Sequence, residues 1–178
     1  VQLRWELRSK FPSETFEGDA ELLGRKLLLN LIENKDLGAS ARACMHDVEG
    51  AFSVAGITQN GELFAFKDPY GIKPLCCGHN RSRNLLAVSS ETVGLDINGL
   101  DFDFEVQPGE LITASKEGFK REKVVPCKRR ALCAFEFAYF ARPDSRLDDR
   151  FVYEVREEFG RNLAEEYREF AKDADTII

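Results

Sequence analysis

Apolar side chains fall at helical spacing early in the chain, switch to alternation in the middle, and return to helical spacing near the end. Leu23, Leu27, Leu28, Leu31 and Ile32 recur three and four apart, with Arg25, Lys26 and Glu33 on other faces, which predicts a helix over residues 18–35. Residues 3–10 and 39–47 suit shorter helices. Period two then sets in. The strands 51–57 and 62–67 flank Asn60-Gly61, a pair that tolerates the positive φ of a tight hairpin turn. Residues 68–74 (DPYGIKP) read as a loop. Further strands are expected at 75–78, 85–90, 102–106, 110–115 and 119–125, with a short serine-capped helix within 89–99. The stretch 135–140 (FEFAYF) alternates bulky residues like a half-buried strand, and Arg142-Pro143-Asp144-Ser145 suits the turn that ends it. From Asp149 the helical period returns, with Val152, Val155, Phe159, Leu163 and Tyr167 on one stripe, and the final residues read as the opening of a buried strand. Helices, then many strands, then a long helix entering a new strand predict a mixed α+β domain, with a second domain beginning near residue 150.

Composition narrows the function classes. The 178 residues are 43% hydrophobic and 31% charged with net charge -6, an ordinary globular balance that argues against a nucleic-acid partner. The short basic cluster Lys128, Arg129 and Arg130 reads as a solvated loop. No apolar run approaches the ~20 residues of a membrane span, and the opening VQLRWELRSK is no signal peptide. The five cysteines, Cys44, Cys76, Cys77, Cys127 and Cys133, lack metal-type pairing, so a reduced, cytoplasmic protein is expected. Cys76 and Cys77 are adjacent and read as packing residues.

Candidate chemistry is sparse. His46 and His79 are not spaced as ligands and read as surface or cap residues. No phosphate-binding glycine loop occurs. Asp19 opens the strongest helix. It either caps or charge-complements that helix, or aims a carboxylate at a ligand's ammonium group, and the two roles are compatible.

Four stretches together resemble the amidophosphoribosyltransferases: GDAELL (18–23), FKDPYGIKPL (66–75), LAVSSETVGLD (86–96) with VQPGEL (106–111), and FEFAYFARPDS (135–145). The stretch 152–167 resembles the helix that leads from that family's glutaminase domain into its transferase domain. The DPYGIKPL and SSE elements are shared with asparagine synthetases and mark the broader class II glutamine amidotransferases. FEFAYFARPDS is more specific to the phosphoribosyl enzymes.

The resemblance implies a four-layer αββα N-terminal-nucleophile hydrolase fold, here incomplete at its N-terminus. Residues 1–148 would be the C-terminal part of a glutaminase domain, and 149–178 a linker helix and first strand of a truncated phosphoribosyltransferase domain. Such enzymes attack glutamine with an N-terminal cysteine whose own α-amino group is the base, and pass the ammonia to phosphoribosyl pyrophosphate to give phosphoribosylamine in purine synthesis. All five cysteines here are internal, so no catalytic residue is assigned in this chain and the isolated polypeptide is expected to be inactive. Asp19 matches the aspartate that binds glutamine's α-ammonium group. Gly18 stands where the family has Ser or Thr, which weakens any contact from that position. Asp68, Gly71 and Lys73 match the middle loop and read as architecture, Gly71 for backbone freedom and Lys73 for a charge pair. Phe137, Tyr139 and Phe140 would wall an ammonia path, core packing being the alternative, and Arg142 would fix the turn that docks the two domains. Cys133 is a candidate iron–sulfur ligand, with its co-ligands and the Mg2+ that accompanies phosphoribosyl pyrophosphate in the absent domain. Glutamine, the remainder of the polypeptide and further copies of the intact protein are the implied partners. The competing readings are a non-catalytic glutamine-sensing or subunit-binding paralogue, and a piece of an asparagine-synthetase-like enzyme.

Overall fold

The computed structural model describes residues 2–12, 17–172 and 175–176. Its two units interleave along the chain: Val1–Leu75 with Val106–Leu132, and Cys76–Glu105 with Cys133–Ile178.

The first unit opens with helices α1 (Gln2–Lys10), α2 (Asp19–Asn34) and α3 (Leu37–Asp47). Lys35 adopts the left-handed conformation (φ 54°) and donates its N–H to the Leu31 carbonyl, which stops α2. Asp36 then caps α3, accepting from the Ala39 N–H at 2.6 Å, so two residues suffice to reverse the chain. The strands β1 (Ser53–Ile57), β2 (Leu63–Lys67), β6 (Glu110–Ser115) and β7 (Gly118–Lys123) form an antiparallel sheet in the order β1-β2-β6-β7. The β1–β2 hairpin forms at the expected place by a wider turn than Asn60-Gly61 suggests. Only Gly61 takes a positive φ (79°), and the loop is closed by Gly61 N–H to the Thr58 carbonyl and Thr58 N–H to the Glu62 carbonyl, both 2.9 Å.

The helical and alternating periods converge on one core. Leu27 of α2, Ala41, Cys44 and Met45 of α3, Phe66 of β2, Leu111 of β6 and Val124 pack together. Phe66 is fully buried and meets Phe52 edge-on, with ring centroids 6.2 Å apart. A smaller cluster of Leu7 and Leu22 ties α1 to α2.

The loop after β2 is organised by Asp68, which is fully buried. Its carboxylate accepts the backbone N–H groups of Tyr70 and Gly71 (2.9 Å each), Phe52 (3.2 Å) and Ile72 (3.3 Å). Gly71 has φ 65°, and a Cβ there would lie 2.6 Å from Pro108 Cγ, so the architectural role read for Gly71 is met twice over.

In the second unit β3 (Cys76–Asn80) is flanked by β4 (Leu85–Ser89) and β5 (Asp101–Glu105) in an antiparallel sheet, with α4 (Thr92–Ile97) between β4 and β5. The N-cap of α4 is Glu91, not a serine. Ser89 instead accepts from the Glu91 N–H through its hydroxyl. Cys76 and Cys77 are buried packing residues, as their adjacency on a strand implies.

The aromatic stretch is not a strand. Glu136–Phe140 forms a π-helical turn, closed by Ala141 N–H to the Glu136 carbonyl at 2.9 Å. Alternation predicts a strand only where a neighbouring strand supplies the ladder. Here a cation replaces it: Arg156 Nε donates to the Phe137 carbonyl and its Nη2 to the Ala141 carbonyl, both at 2.7 Å. A short hairpin of β8 (Arg146–Leu147) and β9 (Arg150–Phe151) turns on Asp148 and Asp149, both left-handed, and leads into α5 (Val152–Glu166). The expected helical stripe is only half buried. Val152 and Val155 are inside, whereas Phe159, Leu163 and Tyr167 are 46%, 59% and 50% exposed. The helix also breaks at Tyr167 before α6 (Arg168–Ala171). Of the strand expected at the end of the chain only residues 175 and 176 are described, as a bend and irregular backbone; the rest lies outside the described residues.

Candidate functional site

A cavity of about 620 Å³ opens in the first unit between α1, the start of α2 and the segment that follows α3. Its charged or titratable lining is Arg4, Glu6, Asp19, His46, Asp47 and Glu49. Asp19 is the first residue of α2, and Gly18 is the N-cap, extended (φ -121°) and without a side-chain cap bond. Asp19 therefore complements the helix N-terminus by charge rather than capping it. Among the described residues it makes no hydrogen bond or ion pair, and it is exposed. A carboxylate at the positive end of a sixteen-residue helix, facing a cavity and without a partner among the described residues, can accept a hydrogen bond from a cationic group.

Beneath this cavity lies a residue that the sequence placed on a polar face. Lys26 is 7% exposed. Its Nζ bonds Glu6 Oε1 at 3.0 Å and Asp47 Oδ2 at 2.9 Å, joining α1 and the end of α3 to α2. Burial lowers its pKa, but the hydrogen bonds and charges of Asp47 and Glu6 outweigh that effect and hold it above the ordinary lysine value. The hydrogen bond from Lys26 holds the Asp47 carboxyl below its ordinary value. No sequence pattern flags this group, because its partners lie 20 positions before it and 21 after.

The remaining candidates lie in the second unit. Phe137 is partly buried, while Tyr139 and Phe140 are 78% and 56% exposed, so core packing does not account for those two rings. Arg142 forms a two-pronged ion pair with Asp144 (3.0 and 2.8 Å) and fixes the turn from its own backbone, its N–H donating to Glu91 Oε2 at 2.7 Å. Glu91 also accepts the Ser145 hydroxyl at 2.6 Å, and Thr92 Oγ1 accepts the Arg146 N–H at 2.9 Å. The SSE element thus anchors the ARPDS turn, a pairing the sequence reading did not make. His79 joins a surface cluster through Asp103 (2.6 Å) and Arg81 (2.8 Å), and His46 is largely exposed.

Two of the five thiols are disfavoured as nucleophiles by their surroundings. Burial pushes Cys44 up to about 11 and Cys76 up to about 12. Cys133 is partly buried, and among the described residues no three His, Cys, Asp or Glu side chains come together as a metal site. Cys133 and its described neighbours therefore do not by themselves fit a cluster. No described helix is long and apolar enough to cross a membrane.

The sequence pattern of the glutamine amidotransferase domain matches residues 1–96. The chain belongs to the glutamine amidotransferase family. Among its relatives, the amidophosphoribosyltransferase of Methanothermobacter thermautotrophicus is 34% identical over 178 residues, covering 100% of this chain and 36% of the relative. That of Synechococcus elongatus is 36% identical over 181 residues, with the same coverage of 100% and 36%. This glutamine amidotransferase chain thus spans about a third of the length of those relatives, whose matching domain is part of a larger polypeptide. Among solved structures, the glutamine phosphoribosylpyrophosphate amidotransferase of B. subtilis complexed with ADP and GMP matches with a TM-score of 0.81 and 29% identity, over 93% of this chain and 35% of that one. A glutamine aminotransferase class-II domain protein of Silicibacter pomeroyi, 22% identical with a TM-score of 0.52, shares the fold. The fold is the α+β type of the N-terminal-nucleophile glutaminase domain.

Proposed function

We propose that this chain is the glutamine-binding part of an amidophosphoribosyltransferase, in which Asp19 receives the α-ammonium group of glutamine. The observation that carries the reading is the Asp19 carboxylate at the head of α2, without a partner among the described residues and facing a cavity of about 620 Å³. The identity of 34–36% to amidophosphoribosyltransferases along the whole chain supports the same choice.

In this reading the ammonium sits against Asp19 at the positive end of α2, a charge-assisted hydrogen bond. A cysteine with a free α-amino group would cleave the amide, its thiolate attacking the carbonyl carbon and its amine taking the thiol proton. Cys44, Cys76, Cys77, Cys127 and Cys133 cannot serve, because the nitrogen of each is locked in a peptide bond. The released ammonia would move past Phe137, Tyr139 and Phe140, whose apolar faces disfavour protonation, to a phosphoribosyl pyrophosphate bound with Mg2+. Gly18 would contribute at most its backbone N–H. Cys133 would join an iron–sulfur cluster only with ligands from outside the described residues. A cytoplasmic homo-oligomer is the setting that fits this chemistry.

Calorimetric titration with L-glutamine tests the site. Asp19→Asn keeps the shape and removes the charge, and it is expected to weaken binding at least about tenfold, the loss of one charge-assisted hydrogen bond. Equal affinity in parent and variant would overturn the assignment.

A further inference from the structure

Resting on that reading of the cavity, we infer that Lys26 is a positioning residue that sets the charge the ligand meets, and so selects a zwitterionic amino acid over a cationic analogue.

Six charged or titratable groups line the cavity, four of them carboxylic acids: Glu6, Asp19, Asp47 and Glu49. A cavity so acidic would favour cations in general, whereas glutamine carries no net charge. Lys26 changes this balance from below. Its ammonium lies within hydrogen-bond reach of both Glu6 and Asp47, while its side chain is 9% exposed and theirs are 40% and 41% exposed. Two lining carboxylates are thereby engaged from the protein side. Among the described residues Asp19 and Glu49 are left as the lining carboxylates without a hydrogen bond or ion pair, Asp19 at the head of α2, and Arg4 lines the same space with a positive charge. The geometry fits an ammonium at Asp19 with a ligand carboxylate nearby. Because the Lys26 charge is buried, solvent and salt screen it less than they would a surface lysine. Its shifted protonation equilibrium agrees, since the ammonium form is held by both partners. Lys26 touches no ligand in this arrangement and acts through the two carboxylates.

The probes are L-glutamine, a zwitterion, and L-glutamine α-amide, a monocation of nearly the same shape. Their dissociation constants for the full 178-residue chain are measured by calorimetry, and the readout is their ratio. Lys26→Met makes the cavity more negative and is expected to move the ratio about fivefold toward the cation. Glu6→Gln makes it less negative and is expected to move the ratio by a similar factor the other way, the size expected of one charge several ångströms away in a partly solvated site. Lys26→Arg is expected to restore the parental ratio. A purely structural role would weaken both ligands together and leave the ratio fixed in both variants. That result overturns the inference and leaves the Asp19 assignment standing. Should Lys26→Met lose its helical circular dichroism, Glu6→Gln decides alone, and an unchanged ratio overturns the inference. If the parent chain binds neither probe, the glutamine reading falls and this inference with it.

Discussion

The hydroxyl of Ser145 donates to Glu91 Oε2 over 2.6 Å, although the two residues are 54 positions apart in sequence. The same oxygen accepts the Arg142 N–H at 2.7 Å. The turn held this way then seeds a helix: the Ser145 and Pro143 carbonyls accept the first N–H groups of α5, from Val152 and Tyr153, both at 2.9 Å. One carboxylate therefore fixes both the end of the aromatic segment and the start of the helix that follows. Ser145 is fully buried, so the loss of its acceptor cannot be repaired by water. Glu91→Ala is expected to cost about 2–3 kcal/mol, read as a lower midpoint in denaturant. Adding Ser145→Ala should cost less in that background than in the parent, and additivity of the two would show that they do not act together.

Asp68 plays the equivalent part in the first unit. Four backbone N–H groups point at one buried carboxylate. An amide in its place would turn its own N–H2 toward donors. Asp68→Asn is therefore expected to destabilise by roughly 2–4 kcal/mol despite its near-identical shape. Gly71→Ala adds a Cβ 2.6 Å from Pro108 at a left-handed φ and is expected to cost about 2 kcal/mol or more. Chemical denaturation of both variants checks the pair.

Helix α2 offers a change in the opposite direction. Gly18 sits at the N-cap with extended dihedrals, and nothing lies within 4 Å of where its Cβ would be. A serine there meets no clash, gains a cap bond and narrows the unfolded ensemble. Gly18→Ser is expected to stabilise the chain by roughly 0.5–1 kcal/mol, seen as a higher melting temperature.

How far the molecule could be read in advance depended on how local its causes are. Helix α2 was legible because its leucines recur at helical spacing, although of that stripe Leu27 is buried while Leu28 and Ile32 are exposed, and the place of Asp19 at the head of the helix was legible with it. Lys26 was not, because a lysine among leucines looks like a polar face until Glu6 and Asp47 arrive from elsewhere in the chain. The aromatic stretch failed for a related reason. Alternation at Phe135, Phe137 and Tyr139 fits a strand, and only Arg156, nineteen residues after Phe137, tells the backbone to close a wide helical turn instead. Glu91 stands in the SSE element with nothing near it in sequence to reveal which donors it serves.

The Lys26 cluster also gives stability a defined pH window. Asp47 has its pKa lowered on folding, so the stability it contributes is present above its unfolded value of ~4 and is lost as pH falls through the lower folded value. Lys26 is raised, so its contribution is present below its unfolded value of ~10.4 and is lost as pH rises through the higher folded value. The cluster is thus complete between roughly pH 5 and pH 10. Lys26→Met is expected to flatten the acid limb of a stability–pH curve, because Asp47 then loses the hydrogen bond that lowered it. An acid limb of unchanged steepness would show that other carboxylates carry it.

Thiol reactivity provides a test that needs no substitution. Cys44, Cys76 and Cys77 are buried, and for Cys44 and Cys76 burial holds the proton on sulfur until about pH 11 and 12. Cys127 and Cys133 are only partly buried. A disulfide reagent needs access to the sulfur, so at pH 8 the folded chain is expected to show two fast-reacting thiols of its five, with the other three following at the rate of unfolding. Mass spectrometry of the labelled peptides assigns them. Fast labelling of Cys44 would mean that the contact between α2 and α3 opens readily, since this sulfur lies in the core between Leu27 and Phe66 and within 3.8 Å of the Asn30 amide. The same experiment run with saturating L-glutamine separates ligand effects from packing. Slower labelling of Cys44 alone would tie the stability of that core to occupancy of the cavity, while uniform rates would leave the two independent.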